Sequence, residues 1–128
     1  MRFSSDSDGI IAPSTCSLGN SALALIRISG FSDLDDLRPA FKLAGPIEPR
    51  KVYYTQVLEN HQALDDVCIT YFKAPHSFTG ENVLEISIHG NLINQSRIIN
   101  FFQDRFKLRF ADPGEFSYRA LKNKNMSL

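Results

Sequence analysis

The chain has 128 residues, of which 43% are hydrophobic, so it can bury one sizeable core and has the length of a single domain, residues 1–128. Lys plus Arg and Asp plus Glu both number 14, which excludes nucleic-acid binding through overall positive charge alone. The polar N-terminus lacks a secretory apolar region and no segment is long enough to cross a membrane, so we expect a soluble cytoplasmic protein.

Two strands are predicted near the N-terminus. Gly9–Ala12 is a short apolar run that ends at Pro13. Ser21–Gly30 alternates and is mostly apolar on both faces, which predicts a central strand. Its exception is Arg27, because a guanidinium in such a strand needs a carboxylate, a ligand anion or solvent at the sheet edge. The simplest interpretation is an ion pair.

The next segment predicts one helix and a hairpin. Ser32 is predicted to cap a helix that begins at Asp33, and Pro39 is expected to kink or shorten this helix. Val52–Leu58 and Val67–Phe72 are rich in β-branched and aromatic residues, which predicts two antiparallel strands. The polar residues between them predict a rather long connecting loop.

The segment Pro75–Gly90 carries most of the information about function. Its first half, Pro75–Glu81, predicts an ordered loop in which Ser77 and Thr79 bond the local backbone. Its second half alternates, which predicts a strand whose less apolar face carries Glu85. A loop that leads into such a strand is typical of a ligand site.

Two helices and a short strand are predicted in the last third of the chain. Asn91 is predicted to cap a helix whose apolar stripe includes Leu92 and Phe102. Residues 108–110 predict a short strand, and Glu115 begins a second helix, after which the chain stops abruptly. We therefore expect part of a longer protein. The order of elements predicts an α+β fold, with a mixed sheet and two to three packed helices.

The chain lacks the sequence motifs of several enzyme classes. No segment matches a phosphate-binding P-loop, a dinucleotide-binding turn or a nucleophile elbow. The three histidines and two cysteines lack metal-ligand spacing, so no metal site is predicted. Glu85 and His89 lie about 13 Å apart along a strand, which is too far for a directly bonded acid–base pair. No catalytic residue is predicted.

Three segments carry a family resemblance. They are Leu25-Ile-Arg-Ile-Ser-Gly30, the segment Pro75–Gly90 with its Ser-Phe-Thr-Gly-Glu motif, and Asp112-Pro-Gly-Glu-Phe-Ser-Tyr-Arg-Ala120. In this order they resemble the N-terminal domain of the bacterial tRNA-modification GTPase family MnmE, also called TrmE. The resemblance implies a fold similar to folate-dependent aminomethyltransferases. It also implies a homodimer that binds 5-formyl- or 5,10-methylene-tetrahydrofolate near the dimer interface.

The resemblance also has implications for the whole protein. Members of the family continue into a helical domain, a GTPase domain that uses GTP, Mg²⁺ and K⁺, and a C-terminal cysteine motif. With the flavoprotein partner MnmG (GidA), they modify carbon 5 of the wobble uridine of tRNA to a carboxymethylaminomethyl-type product. Because the GTPase and cysteine motifs lie outside these 128 residues, no activity is expected from this domain alone.

The family's folate contacts can be carried over residue by residue. Arg27 and Glu85 match, and the position of the third contact, a lysine, falls on Asn125, with Lys124 next to it. A carboxylate accepts paired hydrogen bonds from the amino and ring N–H groups of a pterin, and an arginine engages carbonyl or carboxylate oxygens. The resemblance therefore implies a cofactor site of Arg27 and Glu85, together with Lys124 or Asn125.

Two other functions remain open at this point. Asn125 in place of the family lysine favours a dimerisation and assembly module that does not bind folate. The third reading is a stand-alone protein similar to aminomethyltransferases, which requires its own catalytic acid and a longer chain.

Overall fold

The computed structural model describes residues 8–14, 23–89 and 92–124. Within these ranges the chain forms six strands, two α-helices and two short 3₁₀ helices. The strands are β1 (Ile10–Pro13), β2 (Leu23–Ser29), β3 (Val52–Glu59), β4 (Gln62–Phe72), β5 (Val83–His89) and β6 (Arg109–Phe110). The α-helices are α1 (Leu92–Phe106) and α2 (Glu115–Lys124), and the 3₁₀ helices are Leu34–Asp36 and Arg38–Ala40. In this part of the chain no helix is long and apolar enough to span a membrane.

All six strands of the described ranges belong to one sheet, in the order β3-β4-β5-β2-β1-β6. Neighbouring strands are antiparallel except β1 and β6, which are parallel. The predicted α+β class with a mixed sheet and two to three helices is thus confirmed. β2 lies between β5 and β1, which confirms that it is an interior strand.

The sheet has a different cover on each face. Ile10 and Ile11 are neighbours on β1, so their fully buried side chains point to opposite faces. Ile11 belongs to the main core, which α1 covers with residues such as Phe102. Ile10 belongs to a smaller core with Ala111, against which Phe116 of α2 packs. The two α-helices therefore lie on opposite faces of the sheet.

The main core is built by the alternating residues of the interior strands. Every second residue of β2 and β5 on this face is at most 2% exposed: Ala24, Ile26, Ile28, Leu84, Ile86 and Ile88. From α1, the core takes Ile98, Ile99, Phe101 and Phe102. Leu92 does not belong to the buried stripe, contrary to prediction, because the buried side of α1 begins one turn later at Gln95. The predicted Asn91 cap lies outside the described residues.

The prediction of a long loop between β3 and β4 is wrong. The two strands meet at a tight turn formed by Asn60 and His61, whose φ angles are 52° and 66°. Two successive positive φ angles match the twist of a two-residue hairpin turn, and asparagine tolerates them well. Asp65 and Asp66, which the sequence places in a loop, are paired residues of β4.

The predicted helix after Ser32 is also wrong in type. The chain forms the two 3₁₀ helices instead, and Asp33 rather than Ser32 provides the cap by accepting a hydrogen bond from the N–H of Asp35 at 2.9 Å. Pro39 lies in the first turn of the second 3₁₀ helix, where a missing N–H costs little. The first 3₁₀ helix ends at Asp36, before Pro39, so the effect predicted for Pro39 on this helix stays a prediction.

The second face of β2 is more open than its sequence predicts. Leu23 is 64% exposed, and β3 presents Val52 and Tyr54 on the same face at 69% and 73% exposure. Among the residues that the structure describes, helix α2 covers this face only near β1. We call the uncovered part, defined by Leu23, Val52 and Tyr54, the open face.

Asn82 joins the loop before β5 to two other segments. Its Nδ2 donates to the carbonyl oxygens of Phe31 and Ser32 at 3.1 and 3.0 Å. Its Oδ1 accepts from the Tyr71 hydroxyl at 3.1 Å and from the Ala74 N–H at 2.9 Å. One side chain thus holds β4, β5 and the chain after β2 together.

We expect Asn82→Ala to lower the free energy of unfolding by about 2–3 kcal/mol, because several partly buried groups lose their partner. Urea denaturation at pH 7 measures this difference. Asn100→Ala, at an exposed position on α1, is the matched control and should change the value by less than about 0.5 kcal/mol. Equal effects of the two substitutions would contradict the assigned role of Asn82.

Candidate functional site

Arg27 on β2 and Glu85 on β5 lie directly opposite each other in antiparallel register. Nε and Nη2 of Arg27 both donate to Oε2 of Glu85, at 3.1 and 3.0 Å. The two side chains are only 20% and 22% exposed, so water screens this pair less than a surface pair. The structure therefore brings together two of the residues that the family resemblance implies as ligand contacts. It also confirms that Arg27 takes part in an ion pair.

Two aromatic rings flank the Arg27 guanidinium. Its Cζ lies 4.9 Å from the ring centre of Phe78 and 5.7 Å from that of Phe116, which are cation–π distances. Phe78 belongs to the loop before β5 and is 46% exposed, whereas Phe116 belongs to α2. Three separate segments thus fix the position of the Arg27 side chain.

The loop that carries Phe78 is fixed by hydroxyl groups. Ser77 Oγ donates to the carbonyl oxygen of Glu81, and Thr79 Oγ1 accepts from the N–H of Glu81 at 3.3 Å. The prediction that these hydroxyls bond the local backbone is confirmed. Thr79 is fully buried, and its Oγ1 also lies 2.7 Å from Oγ of Ser29, which joins the loop to β2.

Arg119 on α2 is the centre of a buried group of charges. Its side chain is 0% exposed. Nη1 donates to the two carboxylate oxygens of Glu81 at 3.2 and 3.3 Å. Nη2 donates to Glu115 Oε2 at 3.1 Å and to Asp8 Oδ1 at 3.0 Å. Ser29 Oγ donates to the same Glu81 carboxylate at 2.7 Å, so β2 is joined to this network as well.

Arg109 shares two of these carboxylates. Its guanidinium donates to both oxygens of Asp8 at 2.8 and 3.0 Å and to both oxygens of Glu115 at 2.9 and 2.6 Å. These hydrogen bonds lower the pKa of Asp8. Burial alone would raise the pKa of Glu115, but the hydrogen bonds from Arg109 and from the Asp112 N–H outweigh it and hold that pKa below its usual range.

Gly30 allows the chain to pass close to Arg119. Its φ is 95°, and a Cβ atom there would lie 2.8 Å from Nη1 of Arg119 and 2.8 Å from the carbonyl oxygen of Asp8. A side chain would therefore be strained and would also clash with the network. Steric constraints therefore explain why the Ile-Arg-Ile-Ser-Gly segment ends in glycine.

The three segments that carry the family resemblance meet in this network. The first supplies Ser29, the second supplies Glu81, and the third supplies Glu115 and Arg119. The model of the family described as "GTP-binding protein TrmE N-terminus" matches residues 9–125. The chain belongs to this family.

Individual relatives agree with this family. The chain is 40% identical over 121 residues to the tRNA modification GTPase MnmE of Endomicrobium trichonymphae. The aligned region covers 94% of the chain and 26% of that relative. It is 41% identical over 123 residues to the protein of the same name from Ruegeria pomeroyi, covering 94% of the chain and 28% of the relative. The chain thus spans about a quarter of the length of the curated relatives that it matches.

The third folate contact implied by the TrmE resemblance falls at the end of α2. Lys124 is the last residue of this helix, but its side chain and the whole of Asn125 lie outside the described residues. Asn123 Nδ2 donates to the carbonyl oxygen of Thr79 at 2.9 Å. The end of α2 therefore lies against the loop that carries Phe78, near the Arg27–Glu85 pair.

Several residues of this TrmE-type site are missing from the sequence-based prediction. The two rings beside Arg27 and the network around Arg119 consist of residues that are far apart in the chain. In the sequence, only the three family motifs that contain these residues indicate them.

Among residues 8–14, 23–89 and 92–124, no three His, Cys, Asp or Glu side chains are grouped to hold a metal ion. The Arg27–Glu85 pair offers guanidinium donors and carboxylate acceptors in one place, which is an arrangement able to form hydrogen bonds with polar groups.

We expect Glu115→Gln to lower the free energy of unfolding by about 3 kcal/mol at pH 7, because two arginines lose a buried carboxylate. The pKa of Glu115 is lowered in the folded state, so its contribution is complete above the unfolded pKa of about 4.3 and is lost as the pH falls through the folded pKa. The difference between wild type and variant should therefore narrow below about pH 4.3.

Urea denaturation between pH 7 and pH 3 measures this difference. Glu59→Gln is the control, because Glu59 is an exposed carboxylate at the end of β3, and its curve should run parallel to that of the wild type. A difference for Glu115→Gln that stayed constant down to pH 3 would show that its ionisation is not coupled to folding.

Proposed function

We propose that this chain is the tetrahydrofolate-binding and dimerisation domain of a tRNA-modification GTPase. The observation that carries the proposal is the partly buried Arg27–Glu85 pair, which has the exposed ring of Phe78 beside it. Arg27 and Glu85 match the family's folate contacts. The finer fold that we propose is similar to that of the folate-dependent aminomethyltransferases, with residues 1–128 as one domain.

The donors and acceptors of the pair suit the polar edge of a pterin. Both hydrogen bonds of the pair go to Glu85 Oε2, and within the described part of the chain Glu85 Oε1 and Arg27 Nη1 make no hydrogen bond. Glu85 Oε1 thus remains available as an acceptor, and Arg27 Nη1 as a donor. A pterin presents ring and amino N–H groups as well as a carbonyl oxygen, which this acceptor and this donor can engage. The ring of Phe78 adds a surface for stacking.

We propose 5-formyl- or 5,10-methylene-tetrahydrofolate as the ligand, held by Arg27 and Glu85, with Lys124 or Asn125 as a further contact. When bound, the folate supplies a one-carbon group at the oxidation level of formate or formaldehyde. The residues of this chain bind and orient it; the geometry assigns none of them a proton transfer.

The open face supports the proposed homodimer. Register places Tyr54, Cys68, Ser87 and Leu25 in one row across four strands of this face. Leu23 and Tyr54 also line a shallow cavity of about 330 Å³ on it. Exposed apolar side chains such as Tyr54 and Leu23 gain free energy when another surface covers them. A second copy of this chain is the occupant that we propose.

The functions of the whole protein are proposals that rest on the family. They are hydrolysis of GTP with Mg²⁺ and K⁺ in another domain, modification of carbon 5 of the wobble uridine together with MnmG, and a cytoplasmic location. Both relatives are named tRNA modification GTPase MnmE. This domain supplies the folate and the dimer contact in that scheme, and the domain alone is expected to have no enzymatic activity.

One observation favours a second candidate function. Arg27 and Glu85 already neutralise each other, so the pair is stable without a ligand. Together with Asn125 at the lysine position, this supports an assembly module that dimerises but does not bind folate. Direct titration distinguishes the two functions.

We expect the wild-type chain to bind 5-formyltetrahydrofolate saturably in isothermal titration calorimetry. Glu85→Gln should weaken binding by about 10–100-fold, because a hydrogen bond to a charged acceptor is lost. Arg27→Lys tests the fork geometry of the guanidinium and should weaken binding as well. Glu59→Gln is the control and should bind like the wild type. If a folded wild-type chain gave no saturable heat, the proposal that it binds folate would be wrong, and the assembly module would remain as the function.

We expect the double substitution Val52→Lys, Tyr54→Lys to convert the dimer to a monomer, because it places charges on the open face. Sedimentation equilibrium measures the mass. Ile93→Lys is the matched control, since Ile93 is 82% exposed on α1, outside this face. A variant that keeps the mass of a dimer would show that the two copies meet elsewhere.

A further inference from the structure

A basic cleft lies beside the loop that carries Phe78. Two adjacent cavities, of about 560 and 470 Å³, share Arg50 and His76 in their lining. Lys51 and Lys73 line the larger cavity. All four side chains are exposed. We call this group, Arg50, Lys51, Lys73 and His76, the basic cleft.

The charges of the basic cleft are only partly compensated. Lys51 pairs with Glu48 at 2.5 Å, whereas the side chains of Arg50 and Lys73 make no ion pair with any other residue of the described ranges. The backbone under them is ordered: the Arg50 N–H donates to the Tyr71 carbonyl at 2.7 Å, and the His76 N–H donates to the Lys73 carbonyl at 2.8 Å. An anion would therefore meet a cluster of cations on ordered backbone.

The basic cleft is continuous with the Arg27–Glu85 pair. Phe78 lines the smaller cavity together with Phe72, and the ring of Phe78 also covers the Arg27 guanidinium at 4.9 Å. Three neighbouring surface regions therefore follow one another. The Arg27–Glu85 pair offers donors and acceptors for polar ring atoms, the rings of Phe78 and Phe72 come next, and the cations of the basic cleft come last. The surface thus has three regions of different chemistry in a fixed order.

We propose that the basic cleft binds the glutamate chain of a polyglutamylated tetrahydrofolate. The inference rests on the proposed function, which assigns the pterin to Arg27 and Glu85. A folate consists of a pterin, a benzoyl ring and a glutamate chain, in the same order as the three regions. Each further glutamate adds a carboxylate that interacts favourably with the cations of Arg50 and Lys73.

The extent of the positive surface favours this ligand over RNA. A neighbouring cavity that shares Lys73 is lined by Asp33 and Asp35 as well as by Arg38. Glu48 lies at Lys51. Acidic groups thus bound the basic cleft, whereas a protein that binds nucleic acid through its backbone neutralises several phosphates with Lys and Arg side chains. The short cleft suits a short anionic chain.

The test compares 5-formyltetrahydrofolate monoglutamate and pentaglutamate by isothermal titration calorimetry. For the wild type we expect the pentaglutamate to bind about tenfold more tightly at low salt, an advantage that added NaCl should reduce. The double variant Arg50→Gln, Lys73→Gln should reduce the advantage to about twofold. Lys42→Gln, which removes an exposed cation elsewhere, should keep it. An unchanged melting temperature shows that each variant is folded.

The outcomes separate the two proposals. Equal affinity of the wild type for both folates would overturn the proposal that the basic cleft binds the glutamate chain, and it would leave the proposed function intact. Binding of neither folate would overturn both. If the double variant kept the full advantage but lost affinity for an anticodon stem–loop RNA, the basic cleft would be an RNA surface and the present inference would be wrong.

Discussion

The structure depends on the burial of one charged side chain, that of Arg119. A guanidinium removed from water is stable only when carboxylates and hydrogen-bond acceptors surround it, because its desolvation costs several kcal/mol. Glu81 provides such groups from the loop before β5, Glu115 provides them from α2, and Asp8 provides them from two residues before β1. A correct arrangement of these segments is therefore a condition for burying the charge, which makes competing arrangements unfavourable.

The candidate ligand site is a consequence of this condition. The network fixes α2, and α2 brings Phe116 to one side of Arg27. It also fixes the loop before β5, which brings Phe78 to the guanidinium. The motif residues thus divide into two groups. Ser29, Glu81, Glu115 and Arg119 hold the segments together, while Arg27, Glu85 and Phe78 remain partly exposed at the candidate site.

The sequence predicts the strands well because alternation over several residues is a strong local signal. The prediction from sequence fails where the backbone conformation depends on only a few residues. The turn at Asn60 and His61 depends on two positive φ angles, and the segment after Asp33 forms 3₁₀ helices rather than one α-helix. The resemblance implies Arg27 and Glu85 individually, but their direct contact depends on strand register across 58 positions. In the network around Arg119, the Glu115–Arg119 pair has a local i,i+4 spacing, but the contacts with Glu81 and Asp8 span 38 and 111 positions and leave no local pattern.

The Arg27–Glu85 pair has a consequence for selectivity. A salt-bridged pair has no net charge, so it exerts little attraction on simple anions or cations in the surrounding solution. A ligand gains only if it matches the directions of both partners at once, which a chloride, an acetate or an amine does not. Discrimination at this position is therefore geometric, while any attraction over longer distances has to come from charges elsewhere on the surface.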